Sequence, residues 1–392
     1  MKIGIVLSQT PVYSETFFNH KIKGLQDAGF EVQLFVSKAS PQFSLCKVQL
    51  LPKVYKRQPI TFAWHILKTY MGLLTHIKRV KKYIALEKAR GTTAAVIAKR
   101  LYLNAPLLGA RLDWLHFGFA TMALQHELVA KAIGAKMAVS CRGYDMDVYP
   151  LKHPDAYKTL WAQVDKVHAI SQHMLGQAKN TGMLETTPYS IITPAIDITA
   201  YQQRITNTEP GSVISILSVG RLHYIKGFMD TLEALAIFKQ NYPAHRFQYS
   251  IIGSGELYEP LMFAIHQLGL SKEVKLMGVQ PHEAVLNAMR TSDIYIQYSH
   301  SEGFCNAVLE AQASGCLCIV SDGGALPENV VDGITGFVVP KREPHSLAQA
   351  LLKAIELSDQ EREYIITNAG TRIEQAFSLK AQQEKFTAFY QS

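Results

Sequence analysis

The sequence predicts an α/β protein made of two Rossmann-like domains that face each other across a cleft. Short apolar segments alternate with amphipathic helical segments along the chain, which is typical of parallel sheets covered by helices on both faces. The chain has 392 residues, of which 48% are hydrophobic, and this is enough for two domains with separate cores. Ligands of such folds bind at the carboxyl ends of the strands, so we expect the site in the cleft.

The predicted strands form two runs, and the pattern restarts in the second half of the chain. The first run is Lys2–Leu7, Glu31–Val36, Trp114–His116, Lys136–Ser140, Lys166–Ile170 and Ser190–Thr193. The second run is Ser212–Val219, Phe247–Ile252, Val274–Met277, Ile294–Gln297 and Leu317–Val320. Helices fit between the strands, for example at Gly227–Gln240 and Leu257–Leu268.

A polar stretch with two prolines, Pro194–Gly211, predicts the boundary between the two domains. We therefore assign residues 1–197 to the first domain and residues 198–378 to the second. Residues 379–392 carry Phe386, Phe389 and Tyr390 at helical spacing. They are expected to form a helix that packs back on the first domain.

The cysteines and the start of the chain indicate a cytoplasmic protein. The five cysteines are scattered and form no CxxC pair, so neither a disulfide framework nor a zinc site is expected. No apolar run reaches the roughly 20 residues needed to span a bilayer. The first residues lack the features of a secretory signal.

The net charge of +8 is concentrated in residues 51–100, which contain twelve basic residues and the single acid Glu87. Apolar residues recur there at three- and four-residue spacing: Ile66, Leu67, Tyr70, Leu74, Ile77, Val80 and Ile84. Basic amphipathic helices lie on anionic membranes, so we predict a peripheral membrane protein. The alternative is an ordinary helix with a solvated basic face. Nucleic acid is not an expected partner, because no recognised binding module is visible.

The clearest functional signal is the segment Ser301–Glu310, which follows the predicted strand Ile294–Gln297 and opens a helix. A helix start offers free backbone N–H groups and the positive end of the helix dipole to a phosphate. Gly303 lets the backbone approach a ligand closely. Glu302 and Glu310 are placed to contact two ends of one ligand, although alone they are equally consistent with a capping acid and a surface acid.

A second signal is the loop Gly220–Gly227, directly after the strand Ser212–Val219. Its Arg221 and Lys226 supply a planar fork and a mobile point charge, a combination that suits a diphosphate. Isolated cations of this kind are more often surface residues.

Three more loops follow strands of the same half. Ile251–Glu256 contains a tight turn at Gly253, which is weak evidence alone. The backbone of Leu276–Pro281, which includes Val279, is suited to hydrogen-bond a base edge. Ser321–Glu328 is rich in glycine.

In order and spacing, these segments resemble the donor domain of the family 4 glycosyltransferases, which are retaining enzymes with the two-domain GT-B fold. The match covers about Ser212–Pro340. The resemblance implies that Arg221 and Lys226 bind the donor diphosphate and that Glu302 hydrogen-bonds the transferred sugar. It also implies that the backbone of Gly303 and Phe304 contacts phosphate and that Glu310 binds the ribose. From their loops, Gly253 and Val279 are expected to complete the donor site.

The first half resembles the same family less closely. The Ser-Glu-Thr-Phe sequence that begins at Ser14 is similar to that of family members that build bacterial exopolysaccharides and colanic-acid-like polymers. Its alternative role is to cap a helix, with Ser14 or Thr16 as the cap and Glu15 in the first turn. The resemblance places His116 at the cleft, near the sugar, as an orienting catalytic group; a structural histidine is the alternative.

Arg142 stands where family members often have histidine, and it suits either the diphosphate or an acidic acceptor. Asp145 either orients groups at the cleft or caps a helix. Asp145 and Asp147 also form an Asp-x-Asp pair, which binds a divalent metal in a different transferase fold. Because Arg221 and Lys226 already supply positive charge, no metal is expected here.

These observations give one functional hypothesis. The chain is a retaining, metal-independent glycosyltransferase without a cofactor, whose C-terminal domain binds a UDP- or GDP-linked sugar and whose N-terminal domain binds a glycan or lipid-linked acceptor. The expected process is cell-surface polysaccharide biosynthesis at the inner face of the cytoplasmic membrane. The alternatives are a nucleotide-sugar-binding protein without turnover and another enzyme of the same fold, such as a sugar phosphorylase or an epimerase.

Overall fold

The computed structural model of the protein describes residues 1–11, 16–53, 59–201 and 213–391. The chain forms two compact units, each built around one parallel sheet. Unit 1 contains Met1–Ile170, Met174–Ile192 and Gln383–Ser392, and unit 2 contains Ser171–His173 and Thr193–Gln382. The prediction of an α/β protein with two parallel-sheet domains is confirmed. Residues 202–212, which contain most of the predicted linker, lie outside the described part of the chain.

Unit 1 has a seven-stranded sheet in the order β3-β2-β1-β4-β5-β6-β7. Its strands are β1 Lys2–Gln9, β2 Glu31–Lys38, β3 Lys47–Leu50, β4 Trp114–Phe117, β5 Lys136–Cys141, β6 Lys166–Ala169 and β7 Tyr189–Ile191. The helices that begin in this half are α1 Thr16–Asp27, α2 Pro59–Leu74, α3 Ile77–Ala89, α4 Ala94–Gly109, α5 Val129–Ile133, α6 Tyr149–Lys152, α7 Lys158–Trp161 and α8 Gln172–Asn180. The strand order reverses between β1 and β4, which defines the switch point of this sheet.

Unit 2 has a six-stranded sheet in the order β10-β9-β8-β11-β12-β13. Its strands are β8 Ile214–Val219, β9 Phe247–Ile252, β10 Val274–Gly278, β11 Ile294–Gln297, β12 Leu317–Ser321 and β13 Phe337–Val339. The remaining helices are α9 Phe228–Asn241, α10 Tyr258–Gln267, α11 His282–Thr291, α12 Asn306–Ala313, α13 Leu326–Asn329, α14 Pro344–Ile355, α15 Asp359–Ala376 and α16 Leu379–Gln391. Here the switch point lies between β8 and β11.

Strands β3 and β13 were not predicted from the sequence. Each has four residues or fewer and lies at the edge of its sheet. An edge strand is paired on one side only, so it does not need the continuous apolar run that marks a buried parallel strand. All strands that were predicted from the sequence are present, and their ends shift by at most a few residues.

The last helix contributes large side chains to the core of unit 1. Phe386, Phe389 and Tyr390 of α16 pack with Ile3 and Ile5 of β1 and are at most 4% exposed. Burial of side chains of this size stabilises a fold by roughly 1.5–3 kcal/mol each. The described residues contain no helix that is both long and apolar enough to span a membrane.

Candidate functional site

The predicted donor loops of unit 2 lie side by side at the carboxyl ends of β8, β9 and β10. The Gly220 N–H donates to the Ile252 carbonyl at 2.9 Å, and the Gly253 N–H donates to the Gly278 carbonyl at 2.9 Å. Gly253 has a φ of 146°, and a Cβ atom there would stand 1.9 Å from the Gly220 carbonyl oxygen. Only glycine fits this position, so the close approach of the two loops explains the glycine turn seen in the sequence.

Lys226 and Glu302 meet at the switch point of the same sheet. Lys226 follows β8, Glu302 follows β11, and the Lys226 Nζ atom pairs with Glu302 Oε1. The two loops are also joined through the backbone, since the His300 N–H donates to the Ile225 carbonyl at 2.7 Å. Ligands of doubly wound sheets bind at such a point.

A row of polar side chains fixes the Glu302 carboxylate. The Ser299 hydroxyl donates to Glu302 Oε1 at 2.9 Å, and Gln297 Nε2 donates to the Ser299 hydroxyl at 2.8 Å. The Tyr295 hydroxyl in turn donates to Gln297 Oε1 at 3.0 Å. Sequence analysis missed these residues, although a glutamine at the end of the buried strand β11 was an available signal.

The environment of Lys226 keeps its ammonium group charged. Burial has the largest single effect and lowers the pKa of Lys226. The opposing effects, chiefly the charge of the adjacent Glu302 carboxylate and its hydrogen bond, together outweigh burial, so the pKa of Lys226 is raised above its ordinary value. The side chains of Lys226 and Glu302 are 18% and 13% exposed. Arg221 is exposed and has no ion-pair partner within the described ranges. This edge of the sheet therefore presents one exposed cation and one cation already balanced by a carboxylate.

Glu310 lies on α12 and is hydrogen-bonded to the Tyr201 hydroxyl. Burial raises the pKa of Glu310, while the charge of His282 and the hydrogen bond from Tyr201 oppose that shift. Tyr201 lies in no recognisable sequence motif, and it was not predicted to be part of the site. Val279 directly follows β10, and its side chain is exposed.

The start of α12 agrees only in part with the prediction of free backbone donors. The Cys305 N–H donates to Asn329 Oδ1 at 3.1 Å and is therefore occupied. Gly303 and Phe304 are half-buried, and the Phe304 ring packs against Phe377 with 5.5 Å between ring centroids. The Phe304 side chain is thus an anchor for the loop, which is compatible with a ligand-binding role for its backbone alone.

His116 is in unit 1, and its placement differs from the prediction that it faces an open site. The ring is fully buried: His116 Nε2 is hydrogen-bonded with the Ser140 hydroxyl at 2.8 Å, and His116 Nδ1 is hydrogen-bonded with the Tyr390 hydroxyl at 2.6 Å. Lys21 Nζ lies 3.4 Å from each ring nitrogen. Burial, followed by the nearby Lys21 charge, holds the pKa of His116 well below its ordinary value. Both ring nitrogens have partners inside unit 1, so the structure favours the structural alternative and corrects the expectation of a sugar contact.

Arg142 lies at the carboxyl end of β5 among aromatic rings. Its guanidinium carbon is 4.1 Å from the centre of the Phe17 ring and 4.9 Å from that of Phe18, and its Nε donates to the Gly118 carbonyl at 3.2 Å. Stacked guanidinium groups are well suited to planar anions. Ser14 and Glu15, on which the Ser-Glu-Thr-Phe prediction depends, lie outside the described residues.

Asp145 is buried and caps local backbone. Its carboxylate accepts hydrogen bonds from the Ala120 N–H at 3.1 Å and the Thr121 hydroxyl at 2.7 Å. Burial nevertheless raises the pKa of Asp145 to about 6. The capping alternative considered for this residue therefore describes its environment.

The predicted apolar stripe of the basic segment is divided between two helices, α2 and α3, instead of lying on one continuous amphipathic helix. Val80 is buried and Ile84 half-buried, so part of the predicted stripe faces the domain. Arg79 donates to the carbonyls of Leu108 and Ala110 at 3.1 and 2.5 Å and is a structural cap of α4. The single acid of the segment, Glu87, is buried and paired with Arg100 at 2.7 Å.

The exposed apolar residues of α2 only partly overlap the set predicted from the sequence. Ile60 is 87%, Trp64 65% and Met71 60% exposed, and Leu67 and Leu74 continue the same face. We call these five residues the α2 stripe. Residues at this spacing lie on one side of a helix, so the segment does present an amphipathic surface. That surface shares Leu67 and Leu74 with the predicted stripe and differs from it in Ile60, Trp64 and Met71.

Comparisons with known proteins agree with this architecture. Residues 202–372 match the family described as glycosyl transferases group 1. The chain is 25% identical over 401 residues to the amylovoran biosynthesis glycosyltransferase AmsK of Erwinia amylovora, covering 96% of each chain. It is 24% identical over 416 residues, covering all of both chains, to a Salmonella typhimurium glycosyltransferase named for colanic acid biosynthesis, WcaL.

Solved structures show the same fold. Anabaena Alr3699/HepE in complex with UDP and glucose superimposes with a TM-score of 0.71 at 16% identity, with all of both chains covered. A glycosyltransferase from Rickettsia africae gives a TM-score of 0.70 at 18% identity, covering all of this chain and 97% of the other. The predicted GT-B fold and the resemblance to exopolysaccharide glycosyltransferases are confirmed. The chain is therefore a glycosyltransferase, and its residues 202–372 match the family described as glycosyl transferases group 1.

Proposed function

We propose that the protein transfers a sugar from a nucleoside-diphosphate sugar to a glycan or lipid-linked saccharide, with retention of anomeric configuration and without a metal, in cell-surface polysaccharide biosynthesis. The observation that carries the proposal is the Lys226–Glu302 pair at the switch point of the unit 2 sheet. The polysaccharide context rests on the names of AmsK and WcaL.

The proposal assigns the donor diphosphate to Lys226 and Arg221. A diphosphate that approaches Lys226 competes with Glu302 for the ammonium group, since both are anions. When the phosphate takes over this partner, the Glu302 carboxylate becomes available to accept hydrogen bonds from the sugar hydroxyls. Ser299 and Gln297 hold the carboxylate in place during this exchange.

Glu310 is assigned to the ribose hydroxyls. A carboxylate accepts two hydrogen bonds at once and suits a vicinal diol. The Tyr201 hydroxyl occupies Glu310 in the structure, and in the proposal the ribose replaces it. Either UDP or GDP satisfies this assignment, because the contact does not involve the base.

The proposed step breaks the bond between the anomeric carbon and the diphosphate oxygen. The acceptor oxygen attacks the same face of the sugar and forms the new bond, and its proton passes to the leaving phosphate oxygen. Lys226, Arg221 and the backbone N–H groups near Gly303 stabilise the negative charge that develops on the diphosphate. Since cationic side chains provide this stabilisation, transfer is expected to be insensitive to EDTA.

The acceptor side is proposed to operate at the inner face of the cytoplasmic membrane. The α2 stripe exposes Trp64 and Leu67, and Lys78, Lys81 and Lys82 are exposed on α3. Apolar burial and attraction to anionic lipids act together on such a surface. A lipid-linked acceptor would then be delivered in the plane of the membrane.

The decisive experiment follows transfer or hydrolysis with a panel of UDP- and GDP-linked sugars, in buffer with and without EDTA. Turnover of at least one donor in both buffers is expected. Binding of a nucleotide sugar without any turnover would favour a binding protein, and loss of turnover in EDTA would contradict the metal-free step.

A further inference from the structure

Unit 1 contains a cavity of about 640 Å³ that has no part in the proposed transfer. It lies where β1, β2 and β3 begin, so it is at the end of the sheet opposite the carboxyl ends that carry Arg142. The sheet contributes Gln33, Lys47 and Gln49 to its lining, and helix α2 contributes Lys68 and Thr69. Gln33 and Gln49 are half-buried and Lys47 is exposed, and Gln33 Nε2 donates to Gln49 Oε1 at 2.9 Å. This part of the sheet therefore presents polar groups and a positive charge to the cavity.

The lining has an excess of positive charge. Lys2, Lys47, Lys68 and Arg111 contribute four cations, while Glu31 is the one carboxylate among the lining residues. Glu31 is already paired with Lys2 at 2.8 Å. Lys47, Lys68 and Arg111 have no carboxylate partner in the part of the chain that the structure describes. Their charge suits an anion, and their geometry suits phosphate, which Lys binds as a point charge and Arg as a fork.

The end of α4 also borders the cavity, and its negative dipole would by itself repel an anion. Arg79 removes this obstacle. Its guanidinium donates to the carbonyls of Leu108 and Ala110, at 3.1 and 2.5 Å, where α4 ends. The helix end that faces the cavity is therefore neutralised by a cation held in place.

The position of the cavity identifies the source of the phosphate. Helix α2 carries both the α2 stripe and the cavity residues Lys68 and Gly72, which lie about a quarter to a third of a turn round the helix from the centre of the stripe. A helix that inserts its apolar face into a membrane keeps its flanks among the lipid headgroups. The mouth of the cavity then opens in the headgroup layer, where lipid phosphates are concentrated.

We propose that this cavity binds the phosphate headgroup of an anionic membrane lipid. The proposal rests on the membrane docking of unit 1 described above. The ligand is held by Lys47, Lys68 and Arg111, and it fixes the orientation of unit 1 on the bilayer. General attraction between the basic segment and the membrane requires no such site, and this difference makes the proposal testable.

The test compares two variants that lose the same charge. K47Q/R111Q changes the cavity, and K81Q/K82Q changes exposed lysines of α3 that do not line it. Sedimentation is measured with vesicles of phosphatidylcholine alone, with phosphatidylglycerol added, and with phosphatidic acid added to the same surface charge. Thermal unfolding of both variants establishes that they are folded.

Both variants should lose affinity for phosphatidylglycerol vesicles to a similar extent, because general attraction depends on charge. On phosphatidic acid vesicles, whose phosphomonoester is accessible, K47Q/R111Q should lose roughly tenfold more affinity than K81Q/K82Q. Equal losses on both vesicle types overturn the cavity site while leaving membrane docking intact. If the wild-type protein binds no anionic vesicle, membrane docking itself fails.

A final arm distinguishes lipid from free phosphate. Calorimetry measures binding of inorganic phosphate and of glycerol phosphate to the wild-type protein and to K47Q/R111Q. The lipid proposal expects weak binding of both soluble ligands. Tight binding of a soluble phosphate that is lost in K47Q/R111Q, with equal vesicle binding by the two variants, would assign the cavity to a soluble ligand and overturn the lipid proposal.

Discussion

The Lys226 ammonium group and the Glu302 carboxylate form a partly buried ion pair between two loops that are 76 positions apart in the chain. The family resemblance assigns these residues to different parts of the donor, the diphosphate and the sugar. In the structure each is the partner of the other. The pair explains how both charges are kept in an ordered site before a donor arrives.

Lys226→Ala should weaken the binding of UDP or GDP by roughly 10- to 100-fold, since a hydrogen bond to a charged group contributes about 1.5–3 kcal/mol. Isothermal titration calorimetry measures the effect. Lys239→Ala is a matched control. Lys239 lies on helix α9, away from the loops of the site, and its Nζ atom pairs with Glu273 Oε1 at 2.8 Å. Unchanged nucleotide affinity in Lys226→Ala would refute its role.

Glu302→Gln should separate binding from turnover. The substitution removes the carboxylate that competes for Lys226, so the affinity for the free nucleoside diphosphate should be equal or higher. Turnover should fall, because the amide accepts fewer hydrogen bonds from the sugar than a carboxylate does. Steady-state kinetics with a reactive donor measure kcat, and unchanged kcat would remove Glu302 from the sugar site.

Glu310→Gln should weaken nucleotide binding but raise the melting temperature of unit 2 at neutral pH. Because burial raises the pKa of Glu310, ionisation of this carboxyl is harder in the folded protein than in the unfolded chain. Its contribution to stability is therefore full below the ordinary pKa of 4.5 and is lost as the pH rises through the folded value. Thermal unfolding at several pH values should show the gain of Glu310→Gln at neutral pH and its disappearance in acid.

Tyr201→Phe is the companion test. It removes the hydroxyl that occupies Glu310 without changing the ring. If the ribose and the Tyr201 hydroxyl compete for Glu310, the affinity for the nucleotide should be equal or higher. A loss of affinity would instead make Tyr201 a direct ligand of the donor.

Tyr390→Phe should destabilise unit 1 and leave nucleotide binding by unit 2 unchanged. The substitution removes the Tyr390 hydroxyl, which lies 2.6 Å from the buried His116 Nδ1, and leaves Lys21 Nζ at 3.4 Å as the partner of that nitrogen. Loss of the shorter hydrogen bond should cost about 0.5–1.5 kcal/mol of the free energy of unfolding. A lower melting temperature by calorimetry is the expected readout. An unchanged melting temperature would show that the His116 environment contributes little.

The same buried cluster should make unit 1 sensitive to acid. Burial and the charges of Lys21 and Arg142 lower the pKa of His116 and His168, so the unfolded chain binds more protons than the folded one below the ordinary histidine value of 6.5. Stability should therefore fall as the pH drops below that value.

Lys21→Met should raise the melting temperature at neutral pH, because burial lowers the pKa of Lys21 well below its ordinary value.

Vesicle binding should depend on both parts of the proposed membrane surface. Replacing Lys78, Lys81 and Lys82 with Gln, or Trp64 and Leu67 with Ser, should release the protein from anionic vesicles in a sedimentation assay. Arg79 is excluded from the set because it caps α4. Lys99→Gln, an exposed change on α4, is the single-charge control, and unaffected sedimentation of both multiple variants would contradict membrane docking.

The sequence predicts the two parallel sheets because buried strands need continuous apolar runs, which are visible without a structure. It does not predict β3 or β13, since short edge strands need no such run. Arg221, Lys226, Glu302 and Glu310 are recognisable from loops with a family pattern. Tyr201 and the row formed by Ser299 and Gln297 are not, because their roles depend on contacts between distant segments.

His116 is a case in which the sequence suggested a role that the structure does not support. A histidine at the end of a strand has the same sequence signature whether it faces a ligand or the interior. One of the side chains that enclose it, Tyr390 of α16, is 274 positions away in the chain, and no local pattern reveals this contact.

The contribution of α16 to unit 1 has a consequence for how the chain is made. Trp114 Nε1 donates to the Tyr390 carbonyl, and Lys166 Nζ donates to the Phe389 carbonyl, so the first unit is finished by residues that leave the ribosome after unit 2 has been synthesised. Until α16 has been synthesised, the apolar surface of the first unit that this helix covers is exposed to solvent. A protein truncated after residue 192 is therefore a natural client for chaperones.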